Sequence, residues 1–448
     1  MTHFDSLRST FEGTLLQAGD APYDDARKVH NGLIDRRPAL IAQCRNAKDV
    51  VDALAIAREQ GLSVSVRGGG HNVGGRAVVD GGVMIDLSPM RQVHVDPKAR
   101  TAVAGGGATW ADFNRATQQH GLATTGGVIS STGVAGLTLG GGLGWLMARH
   151  GMAVDNLLGA ELVTADGRIL NVSASEHPDL FWAIRGGGGN FGVATKLTFR
   201  LHPIGQVVSG LVAHPLDRAG DMLRFYRETT ASAGDDLSVF AGLVHAPDGS
   251  GAKLSAMVVF DPDVDAGMRA VAPVKAFGPP VMDAIGPMPY EQANQLLDGA
   301  FPKGALNYWK SSFLTTLSDA AIQTMVEQFR ACPAPLGSIL LEHFHGAVTR
   351  VNVADTAFPH RRTGYNLVII AEWLDAAQSA ECIAWARDTY DAMRPFMASG
   401  RYVNYLGDDE ANESVTNAYG PNLARLREIK RRYDPTNVFR LNQNIPPG

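Results

Sequence analysis

Cysteine is scarce and scattered, with Cys44, Cys332 and Cys382 the only three in 448 residues. Their separations match no metal-binding or redox spacing, which argues against a zinc site, thioredoxin-type chemistry or a disulfide scaffold. Free thiols in a reducing cytoplasm are the expectation. Basic runs are also missing: 40 Lys and Arg stand against 45 Asp and Glu, for a net charge of −5. Neutralising phosphates takes a basic surface, so no nucleic-acid partner is expected. No stretch approaches the ~20 apolar residues of a membrane span, so no membrane partner is expected either. The N-terminus, MTHFDSLRSTFEG, has neither the apolar core nor the twin arginine of a secretion signal. Oligomeric state has no readable signal.

Glycine, by contrast, is abundant. There are 50, above a background of about 7%, and they cluster instead of repeating. Clustered glycine marks backbone that turns tightly or closely approaches a ligand. The chain is too long for one core, so two domains are expected. Residues 47–61 carry helical apolar spacing and end on Gly61. Residues 62–67 then alternate as a strand, and a second strand is expected over 78–87. Another helix is predicted from Thr109 to His120, stopped by Gly121. This alternation describes an α/β region closing near Pro203.

Between 205 and 400 glycine thins out, and strand-like runs at 253–260 and 365–373 alternate with amphipathic segments. An antiparallel sheet flanked by helices is expected there. A helix over NLARLREIKRRY, stopped by Asp434-Pro435, belongs to a tail expected to return to the first domain. The divisions are thus 1–204, 205–400 and 401–448.

Three glycine loops carry the chemistry. Arg67-Gly68-Gly69-Gly70-His71-Asn72 follows a strand directly, and small residues there free backbone N–H groups to form an anion nest. The alternative is a plain tight turn. Gly126–Gly144 and Gly186–Gly192 add two more such loops, which together suit a large ligand with a long phosphate bridge. A literal GxGxxG occurs at Gly187–Gly192, but a strand-like run follows it where the dinucleotide fingerprint requires a helix. A Rossmann domain is therefore rejected.

RGGGHN, GGLGWLMARHGMAVDNLLGAELVTADGR, DLFWAIRGGGGNFGVAT and the terminal RRYDPTNVFRLNQNI together resemble the berberine bridge enzyme-like flavoproteins of the vanillyl-alcohol oxidase superfamily. The resemblance is strong over 36–205 and 400–446 and looser between. It implies an α+β fold, with a bilobed FAD-binding domain of the PCMH type and a substrate domain of antiparallel sheet flanked by helices. It implies FAD held covalently through His71, whose neutral imidazole is nucleophilic near pH 7. It also implies cofactor contacts at Arg67, Gly68, Gly69, Gly70, Asn72, Gly127, Thr132, Gly133, Gly136, Gly140, Gly141, Val193, Asn404 and Asn442. The cysteine that makes a second flavin bond in many members falls at about Ile129 here, so a single attachment is expected. Thr132 occupies the position linked to oxygen access, and its valine-like shape leans towards an oxidase using O2 over a dehydrogenase.

Hydride transfer to a flavin is usually coupled to a base that takes the accompanying proton. Tyr402, first in a YxNY segment, is the first candidate; its alternative is core packing. Glu342, on the strand-like run 339–344, is the second. Amine-oxidising members carry a lysine two residues before that glutamate; here Leu340 stands there, against a nicotine-type substrate. Alternation places Glu342 and Phe344 on one face and His343 and His345 on the other. The two histidines lack supporting ligands, so no metal is expected. Trp309, Tyr365 and Trp373 are candidate pocket aromatics, each equally at home in a core. The leading reading is an oxidase of a small alcohol, hydroxylated ring or amine; a flavin dehydrogenase and a flavin-storing protein compete with it.

Overall fold

The computed structural model describes Leu7 and residues 11–448 apart from 408 and 410–412. The N-terminal stretch read for a secretion signal lies mostly outside the described residues. A first sheet has the order Thr14–Leu16, Leu40–Gln43, Val83–Asp86, Val64–Arg67, with its last three strands parallel. The helix Ala47–Glu59 covers it. Asn46 caps that helix by accepting from the Asp49 N–H, and Gly61 follows its end at φ +65°. Val50, Ala53, Leu54 and Ala57 fall on one helical face and pack on Leu40, Val64, Val83 and Ile85. Each large apolar side chain buried this way contributes roughly 1.5–3 kcal/mol.

A second, antiparallel sheet orders Val93–Asp96, Thr101–Gly105, Val193–Arg200, Leu157–Val163 and Ile169–Ser173. The helix Trp110–Gln118 starts on a capping box between Thr109 and Asp112, and its Trp110 and Phe113 enter the core beside Phe199.

A large antiparallel sheet runs Met282–Asp283, Gln206–Pro215, Lys253–Asp261, Ser238–His245, Ser338–Phe344, Gly364–Trp373, Leu306–Leu314, with Gly286–Pro289 pairing on Gln206–Pro215. Helices Ala219–Ala231, Asp319–Arg330 and Ser379–Met393 bury one face of it. The other face meets Trp145, Phe358 and Tyr402 through Phe240, Phe260 and Phe344. Strand alternation therefore gives this sheet one structural face and one face towards the glycine-rich half.

The C-terminal helix Leu423–Tyr433 packs Leu426, Ile429 and Tyr433 into the core of the second sheet. The fully buried Lys430 donates to Asp434 at 2.6 Å, to the Asn190 carbonyl at 2.7 Å and to the Phe439 carbonyl at 3.0 Å. Asn190 in turn donates to the Gln443 carbonyl and accepts from the Ile445 N–H. The loop Gly187–Gly192 is thus clamped by the tail, and the strand Val193–Arg200 follows it, as expected for a non-Rossmann loop. Among the described residues no helix is long and apolar enough to cross a membrane.

Candidate active site

One long cavity receives all three glycine loops, the C-terminal tail and Trp309 of the large sheet. Its glycine wall is built by backbone approach. A Cβ on Gly69 would lie 2.4 Å from the Gly133 nitrogen, and one on Gly133 would lie 2.4 Å from the Gly69 nitrogen. No other residue fits at either place without parting the two loops. Gly70 adds a left-handed turn at φ +68°, which re-aims the chain so that His71 faces the cavity.

His71 has its Nε2 buried with no hydrogen-bond partner. Burial, reinforced by the neighbouring His30, holds its pKa down at about 3, so the ring is neutral. The His30 ring stacks on it at 3.8 Å between centroids. A neutral imidazole on the wall of a glycine-lined cavity fits a site that holds a cofactor. Among the other expected contacts, Gly68, Gly69, Gly70, Asn72, Gly127, Thr132, Gly133, Gly136, Val193, Asn404 and Asn442 line this cavity.

Three expected contacts lie elsewhere. Arg67 turns away on its strand and pairs with the fully buried Asp86 through Nη2 at 2.5 Å and Nε at 2.9 Å, while Nη1 donates to the Ala26 and Lys28 carbonyls. Gly140 faces the Asn404 side chain and Gly141 faces Phe358. All three shape the site from behind it.

Tyr402 is also placed differently. It is buried behind the wall, and its hydroxyl accepts from the Gly142 N–H at 3.0 Å, the Leu143 N–H at 3.3 Å and Asn404 Nδ2 at 2.9 Å. Burial pushes its pKa up to about 12. It braces the loop Gly140–Leu143. Tyr405, at the end of the single turn Val403–Tyr405, lines the cavity in its place. Its hydroxyl donates to Glu342 Oε1 at 2.9 Å, and Asn366 Nδ2 donates to Oε2 at 2.6 Å. Burial raises Glu342 to about 7, with these two hydrogen bonds only partly opposing it.

Glu342 and Phe344 face the cavity side, while His343 and His345 stack together on the structural face at 4.2 Å. Trp309 lines the cavity and meets Tyr405 edge to face at 5.6 Å. Tyr365 and Trp373 point to the helices instead, hydrogen-bonded to Thr230 and Ser379. Ile129 lines the cavity, and all three cysteines are buried away from it.

Sequence reasoning missed Tyr405, Asn366 and Arg76. Tyr405 lay in a segment already singled out, but only a turn's geometry decides which of two tyrosines faces inward. Asn366 is the register partner of Glu342, a relation visible only once the strands pair. Arg76 lines the cavity and fastens the tail by donating to the carbonyls of Gly407, Leu441 and Asn442.

A bilobed α+β fold around a glycine-walled cavity of this kind defines a flavin-dinucleotide oxidoreductase of the PCMH type. Comparison with known proteins agrees. Residues 38–173 match the family described as FAD binding domain, and residues 401–446 match the family described as berberine and berberine like. The (R)-6-hydroxynicotine oxidase of Paenarthrobacter nicotinovorans is 32% identical, over 98% of this chain and 97% of its own length. An FAD-linked oxidoreductase of Dictyostelium discoideum is 30% identical over 98% and 95%. The crystal structure of 6-hydroxy-D-nicotine oxidase from Arthrobacter nicotinovorans superposes with a TM-score of 0.88 at 30% identity, covering 98% of this chain and 99% of that one. The berberine bridge enzyme of Eschscholzia californica shares the fold, with a TM-score of 0.88 over 99% and 98% at 22% identity. The chain belongs to the berberine bridge enzyme-like family of FAD-linked oxidoreductases.

Proposed function

We propose that the protein is an oxidase of a small, largely apolar alcohol, hydroxylated ring or amine, with FAD bonded singly to His71. The observation that carries this reading is the Tyr405–Glu342 pair, with Tyr405 on the cavity wall and Glu342 hydrogen-bonded behind it. FAD, when bound, accepts a hydride from the substrate and passes the electrons on. Gly68–Asn72, Gly127, Thr132–Gly133, Val193, Asn404 and Asn442 would hold it.

The protein's own part is to move a proton. Tyr405 reaches the cavity while Glu342 stands behind it. A substrate O–H or N–H beside Tyr405 loses its proton to the phenol oxygen as the phenol proton passes to Glu342 Oε1. A tyrosine alone is a poor base, because burial pushes Tyr405 well above its ordinary value. A carboxylate near 7 behind it supplies the basicity at neutral pH. Val128, Ile129, Leu143, Trp309 and Val403 make the surrounding wall apolar. That wall supports a compact substrate over an oligosaccharide, which needs many hydrogen-bond partners. Thr132, branched at Cβ and lining the cavity, supports oxygen as the acceptor.

The test is a panel of small alcohols, phenols and amines mixed anaerobically with the enzyme, followed by air. Bleaching of the flavin and prompt recovery of colour with hydrogen peroxide are expected. Bleaching with slow recovery in air would replace the oxidase with a dehydrogenase. No bleaching of wild type by any member of the panel would contradict the substrate class.

A further inference from the structure

His30 belongs to no glycine loop and no family motif, yet it touches the proposed attachment residue. The two imidazoles stack face to face, 3.8 Å between centroids and 21° apart in plane. His30 is held by backbone on both sides. Its N–H donates to the Gly70 carbonyl and its carbonyl accepts from the Gly304 N–H, both at 2.9 Å. The next residue extends the clamp: Asn31 Nδ2 donates to the Val73 and Asn307 carbonyls, and Asn31 Oδ1 accepts from the Asn307 N–H. A Cβ on Gly32 would lie 2.1 Å from the Gly304 carbonyl oxygen. His30–Gly32 is therefore a rigid wedge between the His71 loop and the start of the strand Leu306–Leu314. Its one flat side chain lies against one ring face of His71.

We propose that His30 is the positioning residue for flavin attachment, fixing the plane of the His71 ring where that residue lines the cavity. This inference rests on the reading of His71 as the attachment site. Forming the bond between a His71 ring nitrogen and the flavin 8α-carbon removes one hydrogen from the flavin methyl group and one from the imidazole. Both leave as protons, and the two electrons pass to a two-electron acceptor such as dioxygen. The nucleophile must therefore be unprotonated and aligned; burial serves the first and the stack serves the second. A His71 ring free to rotate about χ1 and χ2 spends little time aimed at the methyl carbon. A planar neighbour on one face, itself fixed by backbone, removes that freedom and keeps water off that face. Burial lowers His30 to about 4, so it does not place a cation against His71 near neutral pH.

The experiment compares wild type with His30→Phe, His30→Leu and His30→Ala, each isolated without flavin and then incubated aerobically with FAD. Covalent attachment is followed as flavin fluorescence retained by the denatured chain, and total FAD binding is measured separately. Phe keeps a flat ring; Leu fills comparable space without one. The expected result is attachment within about threefold of wild type for Phe and slowed by about tenfold or more for Leu and Ala, with total FAD binding unchanged. Should Ala not fold, the Phe and Leu pair decides. Equal attachment rates in wild type, Phe and Leu would overturn the positioning role. No retained flavin in wild type would instead overturn the reading of His71 on which it rests.

Discussion

The cavity has two unlike walls. One is backbone: a Cβ on either Gly69 or Gly133 would lie 2.4 Å from the other's nitrogen, and His71 rises from the turn they support. The other is side chain: Trp309 from the large sheet and Tyr405 from the C-terminal segment line it, backed by Glu342 and Asn366 on two neighbouring strands. A backbone wall is specified by local motifs, because each loop needs glycine at fixed positions. A side-chain wall is specified by strand register, which no short motif records.

The largest expected effect tests the first wall. Gly69→Val drives a branched side chain into the Gly133 backbone and should destabilise the protein by roughly 3 kcal/mol or more. Denaturant titration and the yellow colour of purified protein check this; a yellow variant of wild-type stability would show that the loops do not meet this closely. Glu342→Gln tests the second wall. It should lower kcat by about 10²–10⁴ while leaving flavin content unchanged, the range expected for loss of a positioned base. Tyr405→Phe removes the oxygen that takes the substrate proton and should cost about 10²–10⁴ in kcat as well. It also removes a donor to Glu342, raising that carboxyl above its present value of about 7. The working form is deprotonated, so the acidic limb of kcat/KM should move to higher pH.

How much was legible follows the same division. The helix Ala47–Glu59, the strand Val64–Arg67 and the glycine loop at His71 were read from local spacing and glycine placement, whereas the α+β class followed from the family resemblance. Alternation separated Glu342 from His343, and it is folding that turns Glu342 to the cavity side and His343 to the helices. What failed was anything set by a single turn or a distant partner. Tyr402 and Tyr405 are three residues apart with rings 4.9 Å apart, yet one braces backbone and the other lines the cavity. Arg67, flanked in sequence by cavity residues on both sides, is claimed by Asp86 from the neighbouring parallel strand. His30 became visible only when folding laid it on His71.

Two smaller effects sharpen the contrast. Glu372 is fully buried, and burial raises its pKa from 4.5 to about 8, with Asn307 only partly opposing the shift. Between those values the folded protein holds a proton that the unfolded chain lacks, so this group lowers stability as pH rises through that window. Glu372→Gln should therefore melt higher than wild type at pH 8 and close to it at pH 5; an equal difference at both would remove the proton linkage. Tyr402→Phe should cost about 1–3 kcal/mol, through N–H groups left unsatisfied. Its turnover should stay within about threefold of wild type, unlike Tyr405→Phe, because it is not in the proton path. The reverse order of the two tyrosines would restore Tyr402 as the base.

The most direct test of the account is the intact mass of the acid-denatured chain, alongside a His71→Ala variant. Wild type should be heavier than its sequence by one FAD and the variant unmodified. Unmodified wild type, with yellow flavin in the supernatant, would contradict it.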